Sequence, residues 1–294
     1  MAKRSSSKKA SKHYPVQRKI RMGVALPAPA HTEMLIRTDK LASNVNHRLM
    51  RQSRIYRLKV DIDTNLPTGS VVEVYALADT WYNHKAYNKA KAVFDENSKE
   101  EREQLGSNNA RWNDFRVNAE PAGSFTELKA VQFTSGAASA LFTQGEYELS
   151  EVTDAAGATK TFSWDTTGGS IFNIIDEYDN MGNTQYGPTF PTTQVGYDGL
   201  TDELDDGQMA HLSDDGNIPP YSHNQLENQC WVKVGTLYVT NDRVTLSTGY
   251  FDAPCGLVRL STGGGLELNG LSENICIELK SGDYKGCHAP SYLE

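Results

Sequence analysis

Alternation of apolar and polar residues with a period of two is the strongest hydrophobic pattern in the chain. In RIYRLKVDID (54–63), Leu58, Val60 and Ile62 alternate with Arg57, Lys59 and Asp61, as in a strand with one face in a core and one in water. LPTG (66–69) supplies turn residues, and SVVEVYALAD (70–79) reads as a strand buried over most of its length. The two together predict a hairpin. Further strands are expected at ELKAVQF (127–133), SIFNIID (170–176), RVTLS (243–247), GLVRLS (256–261), LELNG (266–270) and NICIELK (274–280). EYELSEVTDAAGATKTFSW (146–164) reads as a hairpin with DAAGA as its loop, and WVKVGTLYV (231–239) as a strand whose parity slips at Gly235, as a bulge requires.

The period changes once. WYNHKAYNKAKAVF places Tyr82, Ala86, Ala90 and Phe94 four apart on one helical face. Ser98 and Glu101 have capping-box spacing for a second helix through Leu105 towards Trp112, which Gly106 and the following SNN are expected to break or shorten. Trp112 and Phe115 with Arg111 and Arg116 suit either a stacking platform for nucleic acid or the packing of a helix onto a sheet. The total of about eight to ten short strands, separated by regular turn signals, predicts an all-β sandwich or barrel. No apolar run approaches the roughly 20 residues of a membrane-spanning helix.

Charge adds an asymmetry that the hydrophobic pattern does not show. The formal net charge is -8, yet residues 1–59 hold 15 of the 29 Lys and Arg and only Glu33 and Asp39 as acids. The first 22 residues carry Lys3, Arg4, Lys8, Lys9, Lys12, Arg18, Lys19 and Arg21 with no acid, and Tyr14, Val16 and Ile20 as their strong hydrophobes. So little apolar surface cannot offset the entropy of ordering, so residues 1–52 are expected to form a basic arm, disordered at least over 1–22. A domain at 53–294 follows, with a helical insertion at about 81–115 and a long polar loop at about 177–229. A basic arm on an acidic body points to a polyanion bound by those eight residues, although a merely solubilising terminus is the alternative.

The chemistry of an enzyme is not legible. There is no phosphate-cradling GxxxxGK[ST] and no GxSxG elbow, and the seven histidines are scattered. The sequence implies no catalytic residue and no cofactor. Four cysteines without C-x-x-C spacing fit reduced thiols of an intracellular protein, and no 7–15-residue apolar stretch follows the opening charges as a secretory signal would need. Asp202, Asp205 and Asp206 lie in an acid-rich part of the polar loop that reads as a solvated surface or, more weakly, as a cation site.

These parts together resemble the capsid proteins of small icosahedral viruses, most closely those of circular, replication-protein-encoding single-stranded DNA viruses. The resemblance rests on the basic arm, the strand count, the insertion after the second strand, and the phrases ALADTWYNHKAY (76–87) and SKEEREQLGSNNARWNDFRV (98–117). It implies a single eight-stranded jelly-roll β-sandwich that assembles as a homo-oligomer of about 60 or more copies in a closed shell. The arm would then package a viral genome, expected to be single-stranded DNA, and neutralise its phosphates. KRSSSKK and QRKIR would suit host import machinery, placing the protein in the virion and, during assembly, in the host nucleus. Two other readings stand beside it. One is a non-viral nucleic-acid-binding or chaperone-like protein with a basic tail. The other is a glycan-binding or hydrolytic β-sandwich using Trp81, Trp112, Trp164 and Trp231.

Overall fold

The computed structural model describes residues 15–23, 33–63, 68–106, 111–119, 125–134, 137–143, 145–153, 157–165, 168–183, 230–240, 245–263 and 275–293. The chain opens with β1 (Lys19–Gly23), β2 (Glu33–Arg37) and α1 (Thr38–Asn46), then β3 (Ile55–Asp63) and β4 (Val71–Leu77). Two helices follow, α2 (Trp81–Asn97) and α3 (Lys99–Leu105). Next come β5 (Phe125–Glu127), β6 (Lys129–Thr134), β7 (Ala137–Leu141), β8 (Glu151–Thr153), β9 (Thr159–Ser163) and β10 (Ile171–Asn173), closed by α4 (Ile174–Asn183). The last part holds β11 (Trp231–Tyr238), β12 (Thr245–Ser247), β13 (Phe251–Pro254), β14 (Leu257–Gly263), β15 (Ile275–Leu279), β16 (Ser281–Gly282) and β17 (Gly286–Cys287).

Two large sheets organise these strands. One runs β12-β3-β15-β1-β6-β7, with β13 also on β3, and the other runs β11-β4-β14-β2-β5. Their pairings are antiparallel except β2 with β5. Leu58, Val60 and Ile62 of β3, Ile275 and Ile277 of β15, and Ile20 and Met22 of β1 share one buried cluster with Val72 and Val74 of β4 and Val258 and Leu260 of β14. The sheets therefore stack face to face over a common core. A second cluster covers the far side of the β4-containing sheet, where Leu35, Leu77 and Leu257 meet Ala86, Tyr87 and Ala90 of α2, Phe115, Phe162 and Trp164. A three-stranded sheet, β10-β9-β8, completes that outer layer.

The alternation in β3 is borne out, with Tyr56, Leu58, Val60 and Ile62 buried and the residues between them outward. The hairpin expected of β3 and β4 is not. β3 pairs with β12, β13 and β15, whereas β4 pairs with β11 and β14 in the other sheet. Both strands aim their apolar faces at one core, so they stack instead of exchanging backbone hydrogen bonds. Alternation alone does not distinguish the two arrangements. The β8/β9 hairpin and the register shift of β11 between Lys233 and Gly235 agree with the sequence reading. α2 buries Ala86 and Ala90 as expected, and SIFNIID divides into β10 and the start of α4. LELNG lies outside the described residues.

The helical insertion does not extend to residue 115, and its second helix stops at Gly106, where the glycine is expected to break it. α3 ends at Leu105, and residues 111–119 run without helix through the second core. Ser98 does not close a capping box, because its hydroxyl donates to the Phe94 carbonyl at 2.7 Å, back into α2. The largest correction concerns the arm. Residues 15–23 and 33–52 are built into the body: β1 lies between β15 and β6, β2 between β14 and β5, and α1 packs Leu41 and Ala42 into the main core. The expected disorder to residue 22 and the boundary at 52/53 therefore do not hold for the described residues. Ile20 and Met22, alternating with Lys19 and Arg21, are a strand pattern that the charge count concealed. Likewise α4 carries the chain to Asn183, so part of the expected 177–229 loop is helical and 184–229 lie outside the described residues. Among the described residues, no helix is long and apolar enough to cross a membrane.

Candidate nucleic-acid interface

The eight basic residues expected to meet a polyanion divide into three groups. Lys3, Arg4, Lys8, Lys9 and Lys12 lie outside the described residues, as do Asp202, Asp205 and Asp206. Lys19 and Arg21 stand on the exposed face of β1, because Ile20 and Met22 take the inner face. Arg21 reaches Asp63 at 3.0 Å, and Lys19 is opposite Glu278 in the β1/β15 register. The same face carries Lys59 at 3.3 Å from Asp61 and 3.2 Å from Glu278, and Arg57 at 3.8 Å from Asp252. The hydrogen bond from Lys59 holds the Glu278 carboxyl below its ordinary range, and one from the Thr245 hydroxyl does the same for Asp63. Cations matched this closely by carboxylates present little net field to a polyanion. Arg18 is elsewhere: its charge and that of Arg48 both act on the Cys287 thiol, which burial pushes up to about 11.

Arg18 belongs to a cluster that the sequence reading passed over. Arginine recurs at every third position in Arg48, Arg51, Arg54 and Arg57, and the charges of the first three all act on Lys285, the neighbour of Tyr284. The Arg54 guanidinium lies 4.2 Å from the Tyr284 ring centre and the Lys285 ammonium 5.3 Å from it. The Arg51 backbone N–H donates to the Tyr284 hydroxyl at 3.2 Å, and Lys285 donates to the Leu49 carbonyl. Burial first, then the charges of Arg48, Arg51 and Arg54, push the Lys285 ammonium below its ordinary value. Asp114 offsets them in part, 3.9 Å from Arg51 and held by the Gln52 backbone N–H at 3.0 Å.

The backbone delivers Lys285 to this cluster at a conformational cost. β16 and β17 form a ribbon that turns at Lys285 and Gly286, whose φ angles are +49° and +91°. Tyr284 and Cys287 exchange both backbone hydrogen bonds across it, at 3.0 and 2.9 Å. A two-residue turn with both φ positive favours Asn-Gly, and lysine at its first position is strained. His47, the left-handed C-cap of α1 at φ +49°, lies on the same side of the molecule, next to Arg48.

Beside the cluster opens a cleft of about 320 Å³ lined by His47, Leu49, Trp112, Arg116, Phe142 and Tyr147, among others. Leu49 joins the two features, since it lines the cleft and accepts the Lys285 hydrogen bond. The expected platform of Trp112, Phe115, Arg111 and Arg116 divides here. Phe115 and Arg116 are buried, whereas Trp112 is 52% exposed, with the Arg111 guanidinium 5.8 Å from its ring centre. Behind the cleft, the Tyr147 hydroxyl donates to the buried Asp39 carboxylate at 2.8 Å, and Arg116 and Lys40 approach the Tyr147 ring at 4.4 and 4.7 Å. Burial raises the Asp39 carboxyl to about 6, although Tyr147, Arg37 and Arg116 act to lower it.

The arrangement has the elements of anion binding: several cations, few local acids, and an exposed indole beside them. Among the described residues, no group of three His, Cys, Asp or Glu is placed to hold a metal ion, and all four cysteines are free and buried. The four tryptophans do not share a sugar-binding surface. Trp164 is wholly buried, and the Trp231 indole is held by Asp165 at 3.0 Å under the Arg259 guanidinium. No family model, curated protein or solved structure matches the chain.

Proposed function

We propose that this chain is a viral capsid protein, a jelly-roll subunit that assembles into a closed shell and packages nucleic acid through its basic N-terminal segment. The observation that carries the reading is where that segment joins the body. Residues 15–18 lead into β1 past the end of α1, where the Gln17 N–H donates to the Asn46 side chain at 2.7 Å and Arg18 and Arg48 both act on Cys287, so the basic N-terminal sequence continues towards a basic end of the sandwich. Residues 60–294, by contrast, hold 35 acids against 14 Lys and Arg. A polyanion is thereby attracted at one end of the subunit and repelled over most of the rest, as an inside-only genome contact requires.

The strand order supports the same reading. β3 lies beside β15 in one sheet while β4 lies beside β14 in the other, as when an antiparallel ribbon is wrapped around a core. The layer of α2, α3 and the small sheet over one face would supply subunit contacts. The test is to express the full chain, separate it by size, image the leading fraction by electron microscopy and measure its nucleic-acid content. Uniform closed particles that contain nuclease-protected nucleic acid are expected. A monomer across a range of salt and pH, binding nucleic acid only at low salt, would sink the shell and leave a basic-tailed nucleic-acid-binding protein.

A further inference from the structure

We propose that the folded body, and not the N-terminal segment alone, carries a site for single-stranded nucleic acid: Arg48, Arg51, Arg54 and Lys285 hold its phosphates, and the adjoining cleft takes an unpaired base against Trp112. The proposal rests on nucleic acid being the partner, but not on the protein forming a shell.

Three observations converge on this place. The Arg54 guanidinium and the Lys285 ammonium stand against one ring, Tyr284, and the charges of Arg48 and Arg51 act on the same ammonium, set against the buried Asp114 carboxylate and the exposed Asp283 at the turn. A phosphate would relieve the mutual repulsion that Lys285 experiences from Arg48, Arg51 and Arg54. The cleft then begins one residue away, at Leu49, and offers an exposed indole face on which any base can stack. Glu146 is the acid among the residues lining the cleft, hydrogen-bonded to Glu148, and Lys40, His47 and Arg116 line the same cleft. A duplex keeps its bases stacked inside and cannot use that surface, which is why the occupant is a single strand.

The backbone gives the third observation. Three described non-glycine residues have positive φ, and two of them, His47 and Lys285, stand at this site. Asparagine at position 285 would suit the turn better. Strain retained where a better residue exists points to a role for the side chain, here the delivery of an ammonium group to the cluster. Neither position serves the hydrophobic core.

The experiment uses the full-length protein and a photoreactive 5-iodouracil oligonucleotide, with cross-links mapped by mass spectrometry. Binding of the same oligonucleotide is followed by fluorescence anisotropy over a salt series. Cross-linking is expected at Trp112, Tyr284 or His47, and it should persist when Lys3, Arg4, Lys8 and Lys9 are replaced by alanine. Lys285→Asn should raise the melting temperature while lowering the salt slope by about 0.7, the share of one phosphate contact on a single strand. Trp112→Ala should weaken binding by about tenfold. Cross-links confined to residues 1–14, an unchanged salt slope in Lys285→Asn, or equal competition by duplex DNA would each overturn the site. Closed particles with cross-links only in residues 1–14 would keep the shell and remove this site. Cross-links at Trp112 without particles would do the reverse.

Discussion

Replacing Asp39 by asparagine tests whether the buried network behind the cleft is held by an ionised or a neutral carboxyl. Asp39 lies in the first turn of α1, 1% exposed, with Tyr147 donating to its Oδ2 at 2.8 Å. Burial is the largest influence on it and lifts the carboxyl from 3.8 to about 6, against the smaller opposing effects of Tyr147, Arg37 and Arg116. The folded state thus binds this proton more tightly than the unfolded chain does. Its contribution to stability is fully present below about pH 4 and is lost as pH rises through about 6. The gap between 3.8 and about 6 corresponds to ~3 kcal/mol. Asparagine keeps an oxygen for the Tyr147 hydroxyl but cannot ionise. The assay is urea unfolding of wild type and Asp39→Asn, followed by tryptophan fluorescence from about pH 4 to about pH 8. Asp114, which burial also raises, is present in both proteins and largely cancels in the difference. The variant should gain on the wild type by ~3 kcal/mol across that range. A flat difference, or one that falls with pH, would refute the reasoning and mean that Asp39 remains charged, paired with Arg37 and Arg116.

Three other outcomes follow from the structure. Removing residues 1–14 should leave thermal stability unchanged and lower nucleic-acid uptake without abolishing it, since the folded body keeps its own site, whereas removing residues 1–22 should prevent folding, because it takes β1 and the buried Ile20 and Met22 from between β15 and β6; circular dichroism melts and nuclease protection separate the two. Gln52→Ala should lower unfolding free energy by ~2–4 kcal/mol, since the Gln52 amide satisfies both the Val117 N–H at 2.7 Å and its carbonyl at 3.0 Å in a buried position, as chemical denaturation would show. Gly282→Ala should destabilise the β16/β17 ribbon, because a Cβ there would lie 2.5 Å from the His288 Cα; faster hydrogen exchange at the Cys287 amide, which bonds to Tyr284, is the measurement.

The sequence by itself determined the local elements whose periodicity is long enough to outlast noise. β3, β14 and β15, the helical face of α2, and the slip in β11 were all legible, because burial on one side of a strand or helix is written directly into residue spacing. It also determined the charge asymmetry, which is a matter of counting. β1 was hidden: its two large buried side chains, Ile20 and Met22, are too few to register among basic neighbours, and it became a strand only because β15 and β6 offer backbone partners on both sides. The tertiary structure alone decided that β3 and β4 stack across the core rather than pair, since both arrangements satisfy the same alternation. It alone divided the basic residues, neutralising Arg21 against Asp63 and gathering Arg18, Arg48, Arg51, Arg54 and Lys285 at one end. The three-residue spacing of the arginines was visible, but Lys285 comes from a turn more than 200 residues further along the chain. A field depends on distances between side chains, and those distances are set by packing, not by order in the chain.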